Sequence, residues 1–384
     1  MDNNCRKKLC AITTISGTLE EFMIPVMRLF VQNGYDVTII CTMSSQFMEK
    51  YSSEFHCINI PMKRGVSLIE CIKMPFVFRR LFKQGQYDIV QYATPNASLY
   101  ASIGAKMAHV QKRVYCQWGI RYVGNNGFMR WLLKQMEHLT CSLSTHIRPA
   151  SWKNLDFAVE EGLYQREKAA AIGDGGTVGV DLMKYDLSKK SAYREEIRAK
   201  YLPLQYKYVY CFVGRFSIDK GCKELLAAFR RLLSHHNDVA LLLVGDFEIE
   251  LPESLRWIFS STNVVFTGND VPDVYRYMAA ADVLVHPSYR EGFSMVIQEA
   301  MAMALPVVTT DIPGPSEVIE KDITGLLAKA KDVDSLFDCM KWMYDHKEEG
   351  VVMGLAGRKR CEEKFNRERM IQLTLEDREK ILNS

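Results

Sequence analysis

Two carboxylates stand eight positions apart in "YREGFSMVIQEAMA": Glu291 before a Gly-Phe-Ser step, and Glu299 on the second turn of a helical pattern. Ser294 has the type and place of an N-cap, and Gly292 allows a ligand close to the backbone. Glu299 lies too far past that cap to serve it. It shares a helix face with Met295 and Ala302, while Val296, Ala300 and Ala304 make an adjacent apolar stripe. A glutamate on a solvated face would need no further account, but Ala, Met and Val are poor solvated neighbours. The placement suits a carboxylate that takes two hydrogen bonds from a vicinal diol, with Glu291 accepting hydroxyls from another part of the same molecule.

A second stretch supplies the opposite charge. In "VGRFSIDKGCKELLAAF", Gly214 ends an apolar run, Arg215 and Lys220 follow, and a helix begins near Gly221. Two cations beside a helix N-terminus fit a phosphate or diphosphate. A third stretch, "FTGNDVPDVYRYM", is mainly helix-start chemistry, with Asp270 as cap and Pro272 in the first turn. Its exposed backbone from Asn269 to Val271 can meet the edge of a planar base.

These stretches need a scaffold that brings strand-end loops together. Short β-branched runs alternate with helical patterns: "KLCAITT", then "LEEFMIPVMRLFVQN" closed by Gly34, then "DVTIICT". "YDIVQY", "KRVYCQ" and "THIRPAS" continue the series as strands. Four glycines (Gly173, Gly175, Gly176, Gly179) then interrupt it, after which it restarts through "YVYCFVG", "VALLLVG", "NVVFTG", "ADVLVHPS" and "LPVVTT". The alternation predicts an α/β protein of two Rossmann-like, doubly wound domains facing a cleft. Residues 1–180 form the first, residues 181–365 the second, and 366–384 a helical tail that packs back on the first. Such sheets bind ligands at the carboxyl ends of their strands, where all three stretches fall.

The totals agree. A chain of 384 residues is long for one core, and 48% hydrophobic with 25% charged residues is ordinary globular composition. A net charge of +3 makes no case for nucleic acid. Eleven scattered cysteines without a CxxC pair imply reduced thiols. The beginning "MDNNCRKKLCAITT" lacks the apolar core of a signal peptide, and no run approaches the ~18 apolar residues of a spanning helix. A cytoplasmic protein is expected.

At these residues the chain resembles the retaining glycosyltransferases of family 4, which have the two-domain GT-B fold. The match rests on "VGRFSIDKG", on "FTGNDVPDVYRYMAAADVLVHPSYREGFSMVIQEAMAMALPVVTT", and on "GVD" at Gly179 to Asp181. It is strong in the second half and an outline in the first. The resemblance implies that Arg215 and Lys220, next to Gly214, bind the diphosphate of a nucleotide-sugar donor. It implies that Glu291 holds sugar hydroxyls and Glu299 the ribose, with backbone from Gly292 through Phe293 and Ser294 to Met295 meeting sugar and phosphates. Gly17 would let the first domain approach the donor phosphate, and Asn269 and Val271 would line the donor. Glu291, Arg215 and Lys220 carry the catalytic part, with no cofactor and no divalent metal. The donor implied is a UDP-sugar, and the acceptor a lipid-linked saccharide of bacterial surface polysaccharide. A UDP-sugar 2-epimerase of the same fold and a non-catalytic nucleotide-sugar binder are the rival readings.

The chain departs from the family at one place. Many relatives carry a histidine after the strand matching "RVYCQWG", and some capsule-assembly relatives lack it; this chain has Gln117 and Trp118. These two and Arg121 are the candidates for the acceptor side. "DVD" at Asp332 to Asp334 has metal-motif spacing but opens an amphipathic pattern, so it reads as a helix cap. "GDGGTVG" has Val178 where a dinucleotide fingerprint needs glycine. His286, before Pro287 at a strand end, either lines the site or packs. The segment from Lys63 to Lys83 interleaves Lys63, Arg64, Lys73, Arg79, Arg80 and Lys83 with Leu, Ile, Met and Phe. It reads either as a surface helix with a core face or as a basic amphipathic surface that meets a lipid-diphosphate acceptor or anionic lipid, on the inner face of the plasma membrane.

Overall fold

The apolar runs become strands because a parallel sheet is covered on both faces, so a Val or Ile is buried whichever way it points. The structure, a computed structural model, describes residues 6–63, 65–246, 252–268 and 271–384. Arg64, Asn269 and Asp270 lie outside the described residues. Twelve strands among those described form two six-stranded sheets, parallel throughout. The first holds β1 (Lys8–Ile15), β2 (Asp36–Thr42), β3 (His56–Asn59), β4 (Ile89–Ala93), β5 (Lys112–Gln117) and β6 (His146–Pro149), in the order β3-β2-β1-β4-β5-β6. The second holds β7 (Tyr208–Val213), β8 (Val239–Val244), β9 (Val264–Phe266), β10 (Val283–His286), β11 (Val307–Thr310) and β12 (Gly325–Ala328), in the order β12-β11-β10-β7-β8-β9.

Counted from its own first strand, each sheet has the same doubly wound order, as the alternation predicted. The order reverses direction between β1 and β4 in one sheet and between β7 and β10 in the other. Loops leaving two such strands diverge to opposite faces and leave a crevice. The second sheet's reversal therefore sets the loop after β7, with Arg215 and Lys220, beside the loop after β10, with Glu291.

The chain divides into one unit of residues 1–178 with 368–384 and another of residues 179–367. Within the second unit the incoming and outgoing segments are stitched together. Val180 N–H donates to Phe365 O at 2.8 Å, and Arg367 N–H donates to Val180 O at 3.0 Å. The tail is a single helix, Arg367–Asn383, and it belongs with the first sheet. Arg378, 2% exposed, donates from Nε to Gln91 Oε1 at 2.9 Å, and neighbouring Asp377 pairs with Arg148 at 2.8 Å. Burial alone would raise the Asp377 carboxyl, but Arg378 and Arg148 hold it below its ordinary range.

Some elements differ from the pattern read in the sequence. The first helix is two, Ser16–Phe22 and Ile24–Gln32, because Pro25 has no N–H to continue the ladder. Edge strands β3 and β12 were passed over: each is four residues long, and one begins with glycine. The helix after β9 starts at Val274 with Asp273 in the N-cap position, later than the Asp270–Pro272 start expected. Asp332 does cap the helix Val333–Asp345, accepting from Ser335 N–H at 2.9 Å.

Candidate functional site

The loop after β7 is shaped by Gly221, which begins the helix Cys222–Leu233 at φ +70°. A Cβ there would lie 2.0 Å from the carbonyl oxygen of Pro287, so the two strand-end loops touch backbone to backbone. Tyr289 N–H donates to Asp219 O at 2.8 Å, and the Tyr289 hydroxyl bonds Glu224 in the first turn of that helix. Arg290 lies 3.6 Å from Asp219, whose carboxylate accepts from Ser217 Oγ at 2.6 Å.

Across this seam the charged residues meet. Lys220 Nζ is 2.5 Å from Glu291 Oε1, and His286 Nε2 is 2.9 Å from the same oxygen. Both partners of the ion pair are largely buried, Lys220 at 19% exposed and Glu291 at 13%. Burial alone would raise the Glu291 carboxyl; the Lys220 ammonium and then the His286 hydrogen bond outweigh it and hold the group far below the usual carboxylate range. The acid is ionised at any physiological pH.

Glu291 continues into Gly292, whose carbonyl is packed from the other side by Gly314 at φ +93°, where a Cβ would sit 2.4 Å from it. Phe293 turns away, buried edge-on against Phe365 with centroids 5.3 Å apart, so it offers a ligand backbone only. Ser294 stands in the N-cap position of the helix Met295–Ala302, as predicted, but its side chain makes no cap bond. Gln298, fully buried, instead reaches back from Nε2 to Phe293 O at 2.9 Å and anchors the loop. The first N–H groups of a helix have no intrahelical acceptor, which is where an anion binds. Ile297, Gln298, Ala300, Met301 and Ala302 are buried, leaving Met295, Val296 and Glu299 as the half-open strip. Glu299 is thus half-buried on the helix that the Glu291 loop enters. Gly214 closes β7, Arg215 beyond it is exposed, and Val271 is half-buried in the loop after β9.

The first unit's candidates stand in different settings. Gly17 is exposed in the first helical turn after β1, with no atom within 4 Å of the position a Cβ would take. Gln117 is buried and held in a polar network: it donates to Glu137 Oε1 at 2.6 Å and accepts from the Tyr164 hydroxyl at 2.9 Å. The Tyr115 hydroxyl completes the network at 2.9 Å from Glu137. Gln117 is therefore not presented to an acceptor. Burial raises the Glu137 carboxyl, against the pull of the Gln117 and Tyr115 hydrogen bonds. Trp118 is half-exposed with its ring 5.4 Å from Phe22, at the mouth of a small cavity also lined by Gln91, Arg148, Thr177 and Arg378. Arg121 lies in a short 3-10 turn, Arg121–Gly124. Sequence reasoning missed Thr94 at the end of β4, which takes φ 68° and binds Thr14 through its hydroxyl at 2.7 Å. It also missed Gln298 and Gly314, for which no sequence signal existed.

With this geometry described, the relatives are informative. Residues 207–346 match the family model "Glycosyl transferases group 1", and residues 8–148 match "Glycosyl transferase 4-like". Both halves carry glycosyltransferase domains. The capsular polysaccharide biosynthesis glycosyltransferase CapM of Staphylococcus aureus is 28% identical over 98% of this chain and 97% of its own length. The Escherichia coli UDP-Gal:alpha-D-GlcNAc-diphosphoundecaprenol alpha-1,3-galactosyltransferase is 23% identical over 86% of this chain and 84% of its own. Among solved structures, Anabaena Alr3699/HepE in complex with UDP superposes with a TM-score of 0.76, at 18% identity, covering 97% of this chain and all of that one. The fold is that of the GT-B glycosyltransferases.

Two outcomes are expected of this glycosyltransferase's second unit. Gly221→Ala, at positive φ and against the Pro287 carbonyl, should lower stability by at least ~1–2 kcal/mol in urea melts. Glu291→Gln should cost about 3 kcal/mol at pH 7, since it strands a mostly buried Lys220. The Glu291 pKa is depressed on folding, so its contribution is present above the unfolded value of about 4.3 and is lost as pH falls toward the folded one. The stability gap between wild type and Glu291→Gln should therefore shrink below about pH 4; a gap that widens on acidification would contradict the assignment.

Proposed function

We propose that this glycosyltransferase is a retaining enzyme that moves a sugar from a nucleotide-diphosphate donor, a UDP-sugar, to a lipid-linked saccharide in bacterial surface polysaccharide assembly. The observation that carries the donor part is the Lys220–Glu291–His286 junction at the β7/β10 reversal, directly before the start of the helix Met295–Ala302. A diphosphate placed there meets Arg215, Lys220 and the helix N-terminus, which together can stabilise the charge that develops on the leaving group. This makes a divalent metal unnecessary. Glu291 then accepts sugar hydroxyls, and Glu299, on the half-open strip of the helix, accepts the ribose hydroxyls. The second unit is the donor-binding domain and the first the acceptor-binding domain. The names of the S. aureus and E. coli relatives support the polysaccharide setting and a lipid-diphosphate acceptor.

The first unit also has a face suited to a membrane. All its strands run parallel, so the helices after β3 and β5 start from the same rim of the sheet. On the first, Leu68–Gly85, Leu68, Ile69, Ile72 and Phe76 are exposed near the start, and Lys73, Arg79, Arg80 and Lys83 are exposed further along. On the second, Gly127–Leu143, Phe128 and Trp131 are exposed and stacked at 5.6 Å. No helix among the described residues is long and apolar enough to cross a membrane. We read this rim as a peripheral docking surface for anionic lipid, which brings the enzyme to a lipid-linked acceptor.

Incubation with a panel of UDP- and GDP-sugars and undecaprenyl-diphosphate saccharides in EDTA tests the reaction. Acceptor-dependent nucleotide release is expected; an altered nucleotide sugar without acceptor would mean a 2-epimerase, and donor binding without release a non-catalytic binder. Glu299→Gln should weaken nucleotide binding about tenfold through a lost charged hydrogen bond, while Glu291→Gln should mainly lower sugar transfer. Unchanged binding and turnover in both would refute these roles. For the membrane, flotation with phosphatidylglycerol vesicles should carry the protein up, and phosphatidylcholine vesicles should not. Replacing Lys73, Arg79, Arg80 and Lys83 with Gln should abolish flotation; equal flotation of this variant would remove the basic face from the account.

A further inference from the structure

His286 is a partner of Glu291 that a donor cannot draw away. Its ring is 1% exposed, lies parallel to Phe212 at 6.2 Å between centroids, and its carbonyl accepts from Thr309 Oγ1 at 2.8 Å. Nε2 is 2.9 Å from Glu291 Oε1, with Ser288 Oγ at 3.2 Å from the same nitrogen. Nδ1 is buried and has no hydrogen-bond partner among the described residues. A proton on Nδ1 would be a buried donor without an acceptor, which is costly, whereas a bare Nδ1 lone pair is tolerated. The proton therefore sits on Nε2 and is donated to Glu291. Lys220, a second partner, is a flexible ammonium at 19% exposure, and any diphosphate entering the site competes for it.

We infer that His286 is a positioning residue for sugar recognition: it holds the Glu291 carboxylate in place when Lys220 turns to the donor's diphosphate. The inference rests on the donor site proposed above. It assigns His286 no contact with substrate and no part in proton transfer. Its consequence is a separation of effects. The nucleotide and its phosphates do not depend on His286, while the sugar, held through Glu291, does.

Two variants test this in the full-length chain. His286→Phe keeps a ring against Phe212 and removes the N–H; His286→Gln places an amide N–H near the position of Nε2. The probes are UDP and the UDP-sugar that the wild type turns over. His286→Phe should bind UDP within about twofold of wild type and lose about 10- to 100-fold in kcat/KM for the UDP-sugar, the scale of one hydrogen bond to a charged group. His286→Gln should recover most of that loss. In a Glu291→Gln background, His286→Phe should add less than about twofold, because the two act as a unit. Melting temperatures separate misfolding from mispositioning, and His286→Gln, with its smaller change in chemistry, keeps the comparison usable if His286→Phe unfolds. Equal losses for UDP and the UDP-sugar, or a full additional loss in the Glu291→Gln background, would overturn the inference. A wild type that binds neither UDP nor any UDP-sugar would instead overturn the donor site itself.

Discussion

A lysine from one strand-end loop and a histidine from the end of another strand meet on one oxygen of Glu291, and the arrangement of the second unit's strand-end loops depends on that junction. The loops after β7 and β10 come from strands that are neighbours in the sheet but far apart in the chain. Their helices leave on opposite faces, so nothing in local structure holds them together. Backbone contact at Gly221 and Pro287, the Tyr289–Asp219 hydrogen bond and the Lys220–Glu291 pair do so instead. A carboxylate this buried would be expensive to ionise alone. The ammonium beside it makes the ionised form the stable one, and the charge remains available for recognition.

Cation and anion in that pair have different prospects once a donor arrives. The ammonium is a point charge on a mobile stem and suits a phosphate. The carboxylate is held from behind by an imidazole with a single buried orientation. Without ligand the pair satisfies itself, which keeps two buried charges from destabilising the fold. In the donor complex proposed above, a diphosphate takes over the role of counter-ion to Lys220. On that proposal the same residues serve stability in one state and binding in the other.

The first unit is organised by different forces. Its polar interior residues, Gln117, Glu137, Tyr115 and Tyr164, satisfy one another, and the tail helix contributes Arg378 and Asp377 to a second buried cluster with Arg148 and Gln91. What this unit leaves outside is apolar surface at the starts of two helices and basic surface further along the first of them.

The paired sheets were legible because a parallel strand buried on both faces is written as a continuous apolar run, and a run of that kind needs no knowledge of its neighbours. Residue types at strand ends were legible for a related reason: Arg215, Lys220 and Glu291 follow apolar runs, and Glu299 sits among Ala, Met and Val. The four-residue edge strands β3 and β12 were not, since their pairing with β2 and β11 rather than their own residues makes them strands. Gln117 could not be placed from sequence, because only packing reveals that Glu137 and Tyr164, twenty and forty-seven positions away, use up its amide. The sequence by itself determined the central strands and which side chains carry charge at their ends, because periodicity and residue chemistry are local. Only the tertiary structure decided that His286 stands behind Glu291, that Lys220 neutralises it, and that Phe293 faces inward, because hydrogen bonds between distant loops depend on strand order, which no local pattern encodes.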